Sequence, residues 1–159
     1  MSKTNLCFTL IFGLILLGFT SAAHAALPAP VQAVLTPYVK IHDALAKDSL
    51  DGISAAATDV EKALANDKIF PAEMQTEARQ LAKAQDLVTA RSAFKNLSEA
   101  LIKALADNKI KPDPYVEAYC PMVDAHWLQT GTTVSNPYSS EMAHCGSIVT
   151  AEATPSSQN

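Results

Sequence analysis

With 159 residues and 12 lysines and arginines against 16 aspartates and glutamates, the chain carries a net charge of −4. That mildly acidic balance, with no run of basic residues, argues against nucleic acid and anionic membrane surfaces as partners. The length suits a single domain with a modest core.

Residues 1–25 read as a secretory signal. Lys3 supplies a short positive start, and Leu6 to Phe19 forms an apolar run interrupted by Thr9 and two glycines. Ala23-His24-Ala25 then places small residues at the two positions a signal peptidase reads. The apolar run is too short for a convincing membrane anchor, so no stable membrane insertion is expected after its removal. Cys7 has no lipobox before it and leaves with the signal. Residues 26–159 are expected to form one domain, periplasmic or secreted, with Cys120 and Cys145 in an oxidising compartment. An even cysteine count there makes a disulfide the default.

From Ala29 to about Asn108 the chain is rich in alanine, leucine and lysine and has one glycine, Gly52, a composition that favours helix. The first helix is expected to start at Thr36, a capping residue, with Pro37 at the first helical position. Val31, Val34 and Leu35 then read as a short separate turn. Tyr38, Ile41 and Leu45 recur at helical spacing and face the core, and His42 beside them reads as a half-buried structural histidine. A second helix over 50–65 places Leu50, Ile53, Ala57, Val60 and Leu64 on one stripe. Asn66-Asp67-Lys68 stops it. A third helix over 72–84 is expected to turn Met74, Ala78, Leu81 and Ala82 inward, with Met74 as core filler. Asp86 can cap a fourth, whose stripe of Leu87, Ala90, Phe94, Leu97, Leu101 and Leu105 is the strongest in the chain. Arg91 and Ser98 fall near it; they could reach the C-terminal segment, but residues so placed are more often solvated or locally paired. The expected fold is all-α: an antiparallel up-down four-helix bundle.

After Asn108 the pattern changes. Pro112 and Pro114 break the helix. Tyr115, Val116 and Tyr119 on one side and Ile148-Val149 on the other are short strand candidates, expected to pair and so to bring the ends of 119–146 together. The residues between them read as loop. Ala153 to Asn159 read as a frayed tail.

Segment 119–146 holds both cysteines of the processed chain, with Tyr119-Cys120-Pro121-Met122 at one end and Met142-Ala143-His144-Cys145-Gly146 at the other. Soft sulfur donors and imidazoles gathered this way suit Cu(I) or Ag(I) better than a hard cation. The metal reading takes Cys120, Met122, Met142 and Cys145 as sulfur ligands, with His144 or His126 as an added nitrogen, and copper or silver as the ion. Zinc would want Cys-x-x-Cys and His-x-x-x-His spacings, which are absent. The competing reading is a disulfide between Cys120 and Cys145, closing a loop of 25 residues for about 3 kcal/mol, with Met122 and Trp127 packed beneath. Asp124, His126 and Cys120 could be drawn as a nucleophilic triad. The chain lacks a redox Cys-x-x-Cys and a glycine-rich oxyanion loop, so no enzyme is expected.

Tyr38, Asp43-Ala44-Leu45, Asp48, Arg91-x-x-Phe94-x-x-Leu97-Ser98, Tyr119-Cys120-Pro121-Met122, Trp127-Leu128, Asn136-Pro137-Tyr138, Met142 and Cys145-Gly146 together carry a resemblance. The pattern resembles an uncharacterised bacterial family of exported proteins, domain-of-unknown-function family 3347. The family's members occur alone and attached to periplasmic adaptor subunits of heavy-metal efflux systems, which implies copper or silver handling and an efflux adaptor or other envelope protein as partner. This chain departs from the pattern in its short linker between Met122 and Trp127 and in Ser139-Ser140 after Asn-Pro-Tyr. His126 and His144 are features of this sequence and are not carried over from the family. The expected function is therefore periplasmic binding of Cu(I) or Ag(I), accessory to efflux. Its alternative is a disulfide-closed interaction module of the cell envelope that binds no metal.

Overall fold

The computed structural model describes residues 26–65 and 67–150. The signal reading of 1–25, the tail reading of 153–159 and the stop residue Asn66 lie outside the described residues. In chain order the elements are α1 (Ala29–Leu45), α2 (Ile53–Leu64), α3 (Glu73–Lys83), α4 (Leu87–Asp107), β1 (Tyr115–Cys120), β2 (Ala125–Thr130) and β3 (Ser147–Ile148). Each helix packs on its neighbour in sequence, and α1 and α4 both touch β2. Among the described residues no helix is long and apolar enough to cross a membrane.

Helix α1 does not start at Thr36. It runs unbroken from Ala29 with Pro37 inside it. An interior proline costs about 3 kcal/mol. Val31, Val34 and Leu35 are fully buried on the same stripe as Tyr38 and Ile41, and each contributes about 1.5–3 kcal/mol by leaving water. That burial outweighs the lost backbone bond. Thr36 is no cap; its hydroxyl donates back to the Gln32 carbonyl at 2.9 Å. Helices α3 and α4 are separated at Ala84, which is extended, and Asp86 caps α4 by accepting from the Thr89 amide at 2.8 Å.

The fold is mostly helical, but it is not all-α and holds more than one short β-pair. A three-stranded antiparallel sheet of order β2-β1-β3 follows the helices. Tyr115 pairs with Thr130 and Cys120 with Ala125, while Tyr119 and Ala118 pair with Ser147 and Ile148, so the expected approach of the two ends is real. Strand β2 replaces part of the expected loop. Trp127, Leu128 and Gln129 are all buried, and burial of both faces hides the alternation that marks a half-exposed strand.

The outer edge of β2 lies against the helices. The Leu128 amide donates to the Tyr38 hydroxyl at 3.1 Å, the His126 amide to Glu99 Oε1 at 3.1 Å, and the His126 carbonyl accepts from the Tyr138 hydroxyl at 3.1 Å. Side chains thus satisfy an edge that could otherwise recruit another strand. Behind it Tyr38 stacks on Phe94 with ring centres 4.9 Å apart, Phe94 meets Tyr138 at 6.0 Å, and Tyr138 meets Trp127 edge-on at 5.8 Å. One aromatic run joins the helical core to the C-terminal segment.

Candidate functional site

Cys120 ends β1 on the sheet face that also carries Ala118, Ala125 and Trp127, and it is fully buried. Cys145 precedes β3 and is partly exposed. The pairing of β1 with β3 sets their Cα atoms 5.7 Å apart, and the two are joined as a disulfide. Gly146 makes this approach possible. Its φ is +123°, and a Cβ there would lie 2.6 Å from the Tyr119 carbonyl oxygen and 3.3 Å from the Trp127 ring.

The loop between β2 and β3 is fastened from several directions. Asn136 is buried; its Oδ1 accepts from the Tyr138 amide at 2.9 Å and its backbone N–H donates to the Ala143 carbonyl at 2.8 Å. Arg91 reaches across from α4. Its Nε donates to the Pro137 carbonyl at 2.9 Å, and its Nη2 to the Leu45 carbonyl at 3.1 Å and to the Asp48 carboxylate. The Ser140 hydroxyl first, and Arg91 second, hold the Asp48 carboxyl below its ordinary value of 3.8. His42 is buried at 2% exposure, with Nε2 2.9 Å from the Ser135 carbonyl oxygen and Nδ1 2.9 Å from Asp43 Oδ1. Its helical position suggests a half-buried histidine; the structure buries it fully, with both ring nitrogens engaged within the protein. Gln129 completes the fastening. Its Oε1 accepts from Trp127 Nε1 and from the Ser135 amide, both at 3.0 Å, and its Nε2 donates to the Thr133 carbonyl at 2.7 Å. A buried amide so fully paired fixes one loop conformation.

At the hydroxyl cluster beneath, Tyr38 lies 2.7 Å from Ser98 Oγ. Burial raises the Tyr38 phenol far above its ordinary value, against the lowering effect of the Ser98 bond, and burial likewise raises Tyr138. Both stay neutral donors and acceptors at any physiological pH.

The six candidate ligands are not brought to one point. Cys120 and Cys145 are bonded to each other. Met122 sits in the β1–β2 turn at 73% exposure rather than packed under the disulfide. Lys95 Nζ donates to the Val123 carbonyl at 3.1 Å and the Tyr119 hydroxyl to Asp124 Oδ1 at 3.1 Å, so that turn is itself held in place. Met142 is partly buried, and its carbonyl accepts from the Cys145 amide at 2.8 Å. His144 is exposed, with Nδ1 3.0 Å from the Val134 carbonyl oxygen. His126 places Nδ1 2.6 Å from Glu117 Oε1, and its ring lies tilted against Tyr119 with centres 4.4 Å apart. Among the described residues no three His, Cys, Asp or Glu side chains gather where they could hold a metal ion. In this oxidised form the donor set does not fit a Cu(I) or Ag(I) centre, because its two thiolates are absent and one thioether points to solvent.

Gln129, Glu99, Glu117 and Lys95 were not singled out from the sequence. Gln129 two residues after the chain's one tryptophan was the available signal, because a buried indole N–H needs an acceptor.

No curated protein and no solved structure matches this chain. Residues 34–113 match the family described as protein of unknown function DUF3347, a span that takes in most of α1 and all of α2, α3 and α4 and ends before β1. With about half of its length matched, the chain belongs to the DUF3347 family.

Proposed function

We propose that the protein is a disulfide-closed interaction module of the cell envelope. In this reading the signal is removed after Ala25, and residues 26–159 form one exported domain, an antiparallel up-down four-helix bundle carrying the Cys/Met/His segment on one end. The observation that carries the reading is the closure of Cys120 on Cys145 with the loop between them fastened to the helices by Arg91 and His42. A segment held in one conformation binds a partner without the entropy cost of ordering it. The held turn at 121–124 presents Met122 outward, a side chain suited to apolar contact.

A photo-crosslinking residue at Met122, in cells exporting the full chain, tests this. The expected result is one discrete adduct with an envelope protein, weakened when Cys120 and Cys145 are both replaced by serine. No adduct, together with stoichiometric copper on the purified chain, contradicts it.

Soft-metal capture is the second reading and applies to the reduced chain. The 5.7 Å Cα separation lets two free thiolates meet one ion, and Met142 lies in the same turn as Cys145. Replacing Met122 and Met142 by leucine then lowers Cu(I) affinity in a competition titration of the reduced protein. Unchanged affinity removes the thioethers from the site.

A further inference from the structure

We propose that Cys145 is a site of thiol–disulfide exchange, attacked by an external dithiol, while Cys120 serves only as the leaving sulfur. The inference rests on the disulfide-closed reading above and assigns that bond a direction.

The two sulfurs stand in different surroundings. Cys120 is 0% exposed, on a strand whose inner face is packed with Ala118, Ala125 and Trp127. Cys145 is partly exposed, at the end of a turn closed by its own amide on the Met142 carbonyl. Exchange requires an approach in line with the S–S bond, from behind the sulfur that is attacked. Behind Cys120 lies the core. Of the two residues, Cys145 is the one that is partly exposed.

In the first step a thiolate of the dithiol forms a bond to Cys145 Sγ. The Cys145–Cys120 bond breaks, and Cys120 Sγ leaves with the electron pair and takes up a proton. The second thiolate of the reagent then attacks its own sulfur in the mixed disulfide and releases Cys145 as a thiolate. The dithiol is oxidised by two electrons, and the cysteine pair is reduced by the same two.

The surroundings also limit how far the opening spreads and how long it lasts. Cys120 departs into an apolar environment that disfavours a thiolate, so the forward step is slow. The mixed disulfide reverts when Cys120 attacks Cys145 Sγ and expels the reagent's first thiolate. Once both cysteines are reduced, closure takes an external disulfide as the two-electron oxidant. Opening is confined to the end of the loop. Arg91 and His42 hold Ser135 and Pro137 through contacts that do not involve either cysteine. The part set free is Cys145 to Val149, which includes Gly146 against the Trp127 ring. Trp127 is the chain's single tryptophan, so its emission reports the event without a label.

The probe is reduced glutathione, a monothiol with no second thiol of its own to resolve the mixed disulfide, which early acid quenching traps. The exported full-length protein is incubated with it, quenched with acid, alkylated with N-ethylmaleimide and mapped by peptide mass. The expected product carries glutathione on Cys145 and maleimide on Cys120, in at least tenfold excess over the reverse, with a changed Trp127 emission and an unchanged far-UV spectrum. Equal labelling, glutathione chiefly on Cys120, or exchange only after denaturation overturns the assignment. The single variants Cys120→Ser and Cys145→Ser give an independent reading. Iodoacetamide should modify Cys145 in the first at least tenfold faster than Cys120 in the second, and equal rates again overturn it. A protein isolated with two free thiols and bound metal would instead defeat the disulfide-closed reading, while the order of alkylation rates could still hold.

Discussion

Gly146→Ala is the sharpest test of how the C-terminal segment is seated. Two costs combine at this position. A non-glycine residue at φ +123° sits in a region almost reserved for glycine, at about 1–3 kcal/mol. The new Cβ would also lie 2.6 Å from the Tyr119 carbonyl oxygen, which is strand backbone and cannot swing aside. Forcing β3 away from β1 to relieve that contact costs a further 1–3 kcal/mol or so, typical of overpacking. Gly131→Ala is the internal control, because φ there is +72° and a Cβ meets nothing within 4 Å. It should lose only the backbone part. The difference between the two variants is then about 1–3 kcal/mol, or roughly 4–12 °C in melting temperature at about 4 °C per kcal/mol. Thermal unfolding of the two oxidised proteins, followed by circular dichroism, measures it. Equal losses would mean that Gly146 does not press on Tyr119 and would refute the packing argument.

Other residues give separate tests. Tyr38→Phe strands the buried Leu128 amide and Ser98 hydroxyl and should cost about 1–3 kcal/mol in urea unfolding; a loss below 0.5 or so would mean water replaces the hydroxyl. Arg91→Lys keeps the charge but cannot reach Pro137, Leu45 and Asp48 together, so the amides of 135–143 should exchange at least tenfold faster in hydrogen-exchange measurements. Unchanged protection there would show that Arg91 is dispensable to the loop. Replacing both cysteines by serine should lower stability by between about 3 and 4 kcal/mol, the closure term for a loop of this length. The pH dependence has a defined sign. Ser140 and Arg91 hold Asp48 below 3.8, so its contribution is complete above the unfolded-chain value near 4. It is lost as pH falls through the folded value. Asp48→Asn should flatten the acid limb of stability below about pH 4 and leave the neutral range unchanged in slope; an unaltered acid limb contradicts the assignment.

The helices were legible because each carries its own signal. The stripe of Leu87, Ala90, Phe94, Leu97, Leu101 and Leu105 and the cap at Asp86 mark α4 without reference to anything distant, and α4 runs Leu87–Asp107. Pro37 misled because its local cost was weighed without the burial of Val31, Val34 and Leu35, which depends on what packs over them. Strand β2 was hidden for a related reason: Trp127, Leu128 and Gln129 are buried on both faces, so no alternation survives in the letters. At the site, the sequence showed which residues were available and left two pairings open. It could not show that Met122 faces solvent while Cys120 and Cys145 meet, because that depends on the register of Tyr119 on Ser147. The reach of Arg91 to Pro137 spans 46 positions and is likewise a property of the assembled fold.

The central claim is that the segment is closed by a disulfide. The most direct measurement is the intact mass of protein purified without reductant from cells that make the full chain, first under native and then under denaturing conditions with maleimide. The account predicts a metal-free mass two hydrogens below the reduced value and no alkylation after denaturation. A copper or silver adduct that dissociates on denaturation and leaves two alkylated thiols would contradict it and return the segment to metal capture.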